Sequence, residues 1–432
     1  MENVLMFGWE YPPFKSGGLG QACRDLCKGL DRLGKNVTFV MPISPKQAGQ
    51  TEHARVVGAR RVITEESVDT ESISSIEVER VETPLTPYTN PEQYSEEVQH
   101  LVSEEDSSQM VDGDDQTESV YGVDLMQEVE RYAQVAAQIA REHEFDVIHA
   151  HDWMTYRAGM VAREISGKPL VAHIHATEFD RTADEPTHEI ADRESEGLKA
   201  ADIVIANSEW TKKNVMEAYH IREEKMRVVH WGIEHRPKPD KEPLHAALSE
   251  DDDLVLFLGR ITVQKGPDYF IEAAAEVLQH KPDTKFVVAG EGDMLEATIE
   301  HAAELGIRDS VFFSGWLEGD EVDRAFQAAD LFVMPSVSEP FGLVALEALQ
   351  NETPVLLSKQ SGVSEVLDHC LKVDFWDVKK MANKIVGALK YPAIRKNMVE
   401  HGTSEVKELD IVDPARKVIS CYEEAISTHT NP

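Results

Sequence analysis

Leu331-Phe-Val-Met-Pro-Ser-Val-Ser-Glu339-Pro-Phe-Gly342-Leu-Val-Ala-Leu-Glu347-Ala-Leu349 reads as a strand, a loop and a helix in succession. Four apolar residues fit a buried strand, the Pro335 and Pro340/Gly342 positions break it, and the apolar run from Leu343 has helical length. Glu339 then stands just past the carboxyl end of a strand, and Glu347 about a turn into the following helix. Parallel α/β sheets bind their ligands at that end. A carboxylate there suits sugar hydroxyls, and the leading helix amides suit a phosphate. The plainer reading is a solvated helix N-terminus with favourable glutamates.

The same rhythm runs outward in both directions. Leu254–Leu258, Lys285–Ala289, Val311–Phe313 and Pro354–Leu357 are short apolar runs separated by helix-length segments. On the amino-terminal side, Asn3–Gly8, Asn36–Met41, Asp146–His149, Pro169–His173, Asp202–Ala206 and Arg227–His230 repeat the pattern. Strands alternating with helices predict parallel sheets covered on both faces. The stretch from His235 to Pro243 holds three prolines and no apolar periodicity, which marks a boundary. The chain is therefore expected to form two Rossmann-like, doubly wound parallel-sheet domains facing each other across a cleft. They span 1–235 and 254–410, joined by a linker at 236–253. A C-terminal helix within 411–432 can pack back on the N-terminal domain.

At 432 residues the chain is long enough for two or three domains with cores of their own. Its 43 basic and 79 acidic residues give a net charge of −36. Such a field repels polyphosphates, so nucleic acid is not expected as a partner, although a local cationic pocket remains compatible with it. Glu92 to Glu118 carries ten acidic residues and no Lys or Arg, inside a polar stretch from about 88 to 121 that reads as an insertion. Most of the bias lies outside it. Adaptation to high intracellular salt and an acidic patch for a cationic partner are the two readings. Four cysteines, two of them at helical spacing (Cys23 and Cys27), read as buried thiols in a reducing compartment. With neither a signal peptide nor a membrane span in the pattern, a cytoplasmic location is expected.

Three further groups stand where chemistry is done. Lys15-Ser-Gly-Gly18-Leu-Gly20 follows the first strand and opens a helix, which suits an anion or an ordinary tight turn. Arg260 and Lys265 follow the first strand of the second domain. They suit a diphosphate, with Arg as a fork and Lys as a point charge, or form a surface pair beside a helix cap. His149-Ala-His151-Asp152-Trp153 and His173-Ile-His175 each end a strand of the first domain. Four histidines and an aspartate have the makings of a metal site, and core histidines with satisfied partners are the other reading.

Glu339-Pro-Phe-Gly342…Glu347 resembles the paired-glutamate motif of retaining glycosyltransferases of family 4. Taken with Gly259-Arg260…Lys265-Gly266 and Lys15-Ser-Gly-Gly18, it is also similar to bacterial and archaeal glycogen and starch synthases. The resemblance spans almost the whole chain. It implies the GT-B arrangement and a retaining, metal-independent hexosyl transfer without a cofactor. The donor would be a nucleotide-sugar such as UDP-glucose or ADP-glucose, and the acceptor a glycan, α-glucans included, or another hydroxyl compound. It further implies that Arg260 and Lys265 bind the donor diphosphate, with Lys15 and Gly18 closing from the other domain. Glu339 and His175 would be the catalytic pair at the sugar. Amides near Gly342 and Leu343 would meet phosphate, Glu347 the ribose, and His151, Asp152 and Trp153 would line the acceptor side. Because Glu347 is present, family 4 fits better than the glucan synthases. A nucleotide-sugar 2-epimerase of the same fold, or a non-catalytic nucleotide-sugar-binding protein, is the alternative.

Overall fold

A computed structural model describes residues 1–12, 18–43, 55–58, 76–82, 123–183, 185–240 and 253–430. Lys15, the acidic stretch from Glu92 to Glu118 and most of the linker lie outside the described residues. The strands of the first domain are Asn3–Phe7 (β1), Asn36–Ile43 (β2), Arg55–Gly58 (β3), Ile76–Glu82 (β4), Val147–His151 (β5), Leu170–Ile174 (β6), Ile203–Ala206 (β7) and Met226–Val228 (β8). Those of the second are Leu254–Leu258 (β9), Lys285–Ala289 (β10), Val311–Gly315 (β11), Leu331–Met334 (β12), Val355–Ser358 (β13) and Leu371–Val373 (β14).

Among the described residues the first sheet has eight strands in the order β3-β4-β2-β1-β5-β6-β7-β8, and the second has six in the order β11-β10-β9-β12-β13-β14. Every pairing is parallel, including β1 with β5 and β9 with β12. Helices on both faces explain why β5, β6 and β7 are apolar-rich and buried along their length rather than alternating. The protein thus has two Rossmann-like, doubly wound domains. In each sheet the strand order reverses at one place, between β1 and β5 and between β9 and β12. The loops leaving those four strands therefore open a crevice for ligands. They carry the Gly18 turn, His151–Trp153, Arg260–Lys265 and Glu339.

Packing fixes how these loops meet. Helix Gly18–Arg32 buries Leu19, Ala22, Cys23, Leu26, Cys27 and Leu30, an i, i+3, i+4 stripe. The last helix, Val412–Thr430, lies against it and crosses at Gly29, where a Cβ would come within 2.4 Å of the Ile411 carbonyl. From there Arg227 pairs with Glu424 and His429 reaches the Gly167 carbonyl at 3.0 Å, so the last helix is tied to the first domain. One apolar core runs from the first helix through β1 and β2 to the inner layer of the second domain and Tyr422. Each sheet has a second apolar layer on its far side.

Candidate active site

The loops after β9 and β12 meet directly. Lys265 Nζ donates to Glu339 Oε2 at 2.6 Å, and the Ser336 hydroxyl donates to the same oxygen at 3.1 Å. Val337 N to Gln264 O at 2.9 Å stitches the two loops together, and Arg260 reaches Gln264 Oε1 at 3.3 Å. From the other side Glu339 N donates to Gln360 O and Gly362 N to Glu339 O, so Glu339 makes a one-residue parallel bridge with Ser361. Fixed on two sides, this carboxylate has little freedom to reorient. Gly342 follows at φ 105°, and a Cβ there would sit 3.0 Å from Met334 Cε and 3.2 Å from Glu339 Cγ. Only glycine accepts both constraints. It starts helix Leu343–Gln350, whose leading end has no side-chain cap and carries the positive end of the helix dipole, with Ala345 N returning to the Gly342 carbonyl at 3.0 Å.

Glu347 sits in that helix but answers to other charges. Burial raises its pKa, Arg236 and Arg24 pull it back, and Asp323 and Asp25 push it further up. It faces the junction of the linker and the first helix, where Arg236 bridges to Asp323 at 3.0 Å.

In the first domain, β5 extends two residues beyond the expected end and delivers His151 inside the strand. Asp152 then takes φ 59°, an uncommon value for a residue with a side chain, before helix Trp153–Ser166 begins. Its carboxylate compensates by accepting the His175 amide at 2.7 Å and facing Arg181 at 3.6 Å. Burial raises the Asp152 pKa to about 6 against the pull of Arg181 and those amides. Arg181 also binds Glu194 at 2.9 Å, and burial lifts Glu194 to about 7. Asn207 Nδ2 holds the His175 carbonyl at 3.0 Å, so the backbone of His175 is fixed at both polar atoms.

His175 is 9% exposed and forms the floor of the crevice, while His151 and Asp152 lie beneath it, fully buried. A ring nitrogen of His151 meets His175 Nε2 at 2.8 Å, and Trp231 stacks on His173 and His175 at centroid distances of 5.1 and 5.4 Å. Burial, with Arg181 nearby, drops the His175 pKa to about 3, so the ring is neutral at physiological pH. Trp153 is 2% exposed and packs in the apolar layer of the first domain rather than lining the crevice. Gly18 is exposed at the start of its helix, with open space where a Cβ would go.

The two domains join around the Glu339 loop. Ser338 Oγ donates to Asp180 Oδ1 at 2.5 Å, Trp210 Nε1 to Ser338 Oγ at 3.2 Å, and Ser208 Oγ to the Pro340 carbonyl at 2.6 Å. Glu365 of the second domain caps helix Glu209–Tyr219 of the first, accepting from the Glu209 and Trp210 amides at 2.9 and 2.8 Å, and also meets His230 Nε2 at 2.7 Å. These contacts had no signature in sequence spacing, because each links segments more than a hundred residues apart. Among the described residues no helix is long and apolar enough to cross a membrane.

Comparison with known proteins agrees with this geometry. Residues 3–223 match the starch synthase catalytic domain model, and residues 240–405 match glycosyl transferases group 1. An uncharacterized glycosyltransferase of Methanocaldococcus jannaschii is 29% identical over 85% of this chain and 83% of its own length. A D-inositol 3-phosphate glycosyltransferase of a Nocardioides species is 30% identical over 65% of this chain and 68% of its own length. In fold, the chain is similar to sucrose-phosphate synthase of Thermosynechococcus elongatus, with TM-score 0.73 and 18% identity over 99% of this chain and 100% of that one. Anabaena HepE, solved with UDP and glucose, gives 0.68 at 18% identity over 98% and 100%. The first model covers just over half of the chain and includes the histidine floor, and the second includes the Glu339 loop, so the chain belongs to the glycosyltransferases, with an N-terminal half of the starch synthase catalytic type and a C-terminal match to glycosyl transferases group 1.

Proposed function

We propose that this glycosyltransferase moves a hexose, with glucose the first expectation, from a nucleoside diphosphate sugar to an acceptor hydroxyl with retention at the anomeric carbon. The observation that carries this reading is the Lys265–Glu339 pair at the point where the second sheet reverses. A cation for the diphosphate and an acceptor for sugar hydroxyls stand there side by side. Lys265, Arg260 and the leading amides of helix Leu343–Gln350 meet the charge that develops as the diphosphate departs, a set that needs no metal ion. Lys15 and Gly18 close on the donor from the first domain, and Glu347 takes the ribose. Glu339 holds the sugar hydroxyls.

Neutral His175 orients the sugar by hydrogen bonding. A ring with so low a pKa is a poor base and a negligible acid, so the acceptor proton passes to the departing phosphate oxygen rather than to this residue. His151 and Asp152 act from below the floor by fixing His175, and Trp153 supports them from the core. The inositol phosphate relatives add phosphorylated polyols to the α-glucans as acceptors for trial. A screen of nucleotide release over UDP-, ADP- and GDP-sugars, with glucan and polyol-phosphate acceptors and the product anomer read by NMR, tests the reading. Nucleotide release without a glycosylated acceptor would instead mark a 2-epimerase or hydrolase. Donor binding without turnover on any acceptor would mark a binding protein.

A further inference from the structure

His149 and His173 have no part in the reaction described above, yet they are fully buried beside His151. Adjacent strands bring the three together, with His151 in register with His173 and His149 two residues earlier on the same strand face. One ring nitrogen from each of the three lies within 4.8 Å of the other two. The rings are also braced. His149 Nδ1 meets the Tyr422 hydroxyl at 2.6 Å, His151 Nδ1 meets His175 Nε2 at 2.8 Å, and His173 Nδ1 meets His149 Nε2 at 3.2 Å. The Nε2 atoms of His151 and His173 are buried and have no hydrogen-bond partner. A buried polar atom left unpaired costs about 1–3 kcal/mol, so two in one cluster call for a ligand.

The tautomers follow from this. An unpartnered lone pair is easier to bury than an unpartnered N–H, so His151 carries its proton on Nδ1 and donates to His175. His173 likewise carries its proton on Nδ1 and donates to His149, whose own Nδ1–H in turn donates to the Tyr422 hydroxyl. Burial keeps all three rings neutral. A neutral imidazole with its N–H braced and its other lone pair turned inward is the form that ligates metals.

We propose that the chain binds one divalent transition-metal ion of the zinc class at His149, His151 and His173, beneath the floor of the crevice. An imidazole set favours zinc, copper or nickel over magnesium or calcium. Nitrogens held at about 2.0–2.1 Å on a tetrahedral ion stand about 3.3 Å apart, so on loading the cluster closes up and the His173 ring turns to bring Nε2 to the ion. His149 Nε2 then exchanges His173 for the ion, and Tyr422 keeps the ring oriented. Cys23, whose thiol groups with His151 and His175 within the same 4.8 Å, is the soft donor beside the fourth position. The ion would pin β5 and β6 to the last helix through Tyr422.

The test loads the untagged full-length chain with ZnCl2 or CoCl2 and removes the excess. It then reads metal per chain by mass spectrometry, the cobalt visible spectrum and the thermal midpoint. About one ion per chain, the intense bands of tetrahedral cobalt and a raised midpoint are expected. The double variant His149→Gln/His173→Gln leaves His151 and His175 in place. It should weaken binding more than about 100-fold, beyond what loss of a supporting hydrogen bond does. Fewer than about 0.1 ion per chain in the parent, a weak octahedral cobalt spectrum, or undiminished binding in the variant overturns the proposal. If the variant does not fold, the parent's stoichiometry and spectrum decide.

Discussion

Replacing Lys265 by Met removes the ammonium that donates to Glu339 at 2.6 Å and leaves that carboxylate, whose side chain is 7% exposed, with the Ser336 hydroxyl at 3.1 Å. Breaking a fully buried pair costs about 3–5 kcal/mol, and a hydrogen bond to a charged group contributes about 1.5–3. The Lys265 side chain is 21% exposed, so water makes good part of the loss. A cost of about 2 kcal/mol follows, or about 4–8 °C in the melting of a domain this size. On the proposed function the same substitution also withdraws a charge that would meet the leaving diphosphate. If that charge is met chiefly in the transition state, kcat falls by about 10²–10³. The double variant Lys265→Met/Glu339→Gln separates the two effects. A neutral amide needs no cation, so stability should recover by about 1 kcal/mol or more while transfer stays low. Calorimetry and a nucleotide-release assay on the three proteins read both. A double variant no more stable than the single one refutes the role given to the pair, and transfer within about threefold of the parent in Lys265→Met refutes the donor site.

Stability should fall with acid in molar KCl, where surface repulsion is screened. His175, held at about 3, and His149, His151 and His173, all lowered by burial, take up protons on unfolding below about pH 6.5. Their contribution is complete above that pH and is lost as pH falls toward 3, at about 1.4 kcal/mol per unit for each ring. Asp152 and Glu194, raised to about 6 and about 7, work the other way, since they bind protons more readily when folded. Asp25 and Glu347, also raised by burial, act in the same sense as these two carboxyls. The four rings are lowered further than Asp152 and Glu194 are raised, so a net loss is expected, and denaturation midpoints that stay level from pH 6.5 to 4.5 would contradict it. Gly362→Ala places a Cβ 2.2 Å from the Pro340 carbonyl and 2.5 Å from Ser208 Cβ. It should cost about 1–3 kcal/mol and lower transfer by loosening the domain joint. The helical control Gly387→Ala, with nothing within 4 Å, should stabilise by about 0.5–1 kcal/mol without touching activity. With a net charge of −36, stability and transfer should both rise toward molar KCl. A maximum at low salt would return the stretch Glu92–Glu118 to the reading of a binding patch.

The fold was legible because buried parallel strands are written as apolar runs. Its boundaries slipped where a strand is not apolar. His149 looked like the end of β5, yet His151 is the last residue of that strand, its imidazole buried by stacking and hydrogen bonds rather than by hydrophobicity. β14, three residues with a lysine in the middle, and β4, with four of its seven residues charged, gave no run to find. Residue types also placed Lys265 and Glu339 at strand ends. Their contact depends on β9 lying next to β12, which is topology rather than spacing. Local spacing suggested that Glu347 and Glu339 share one ligand. The charges that act on Glu347, those of Arg236, Asp323 and Asp25, come from three distant segments that no local spacing announces. Trp231 and Tyr422 support the histidine floor from remote parts of the chain, and no periodicity links them to it.

The net charge of −36 and an anionic donor look incompatible until the pairing of the cations is considered. Arg24, Lys28, Arg32, Arg163, Arg181 and Arg227 are each bound to an aspartate or glutamate, so their fields are largely cancelled. Lys265 is paired as well, but to a residue the donor itself would engage. An ammonium carries three donors on one small charge and can serve Glu339 and a phosphate oxygen together, whereas a guanidinium would commit its planar fork to the carboxylate. Before the donor arrives the pair is neutral and costs the acidic surface little. On the proposed function, sugar hydroxyls donate to Glu339 where it stands, and the Lys265 charge is then free to face the diphosphate. The proposed function thus has the cation for the diphosphate stored against the carboxylate for the sugar, so that binding of one end of the donor would free the charge for the other.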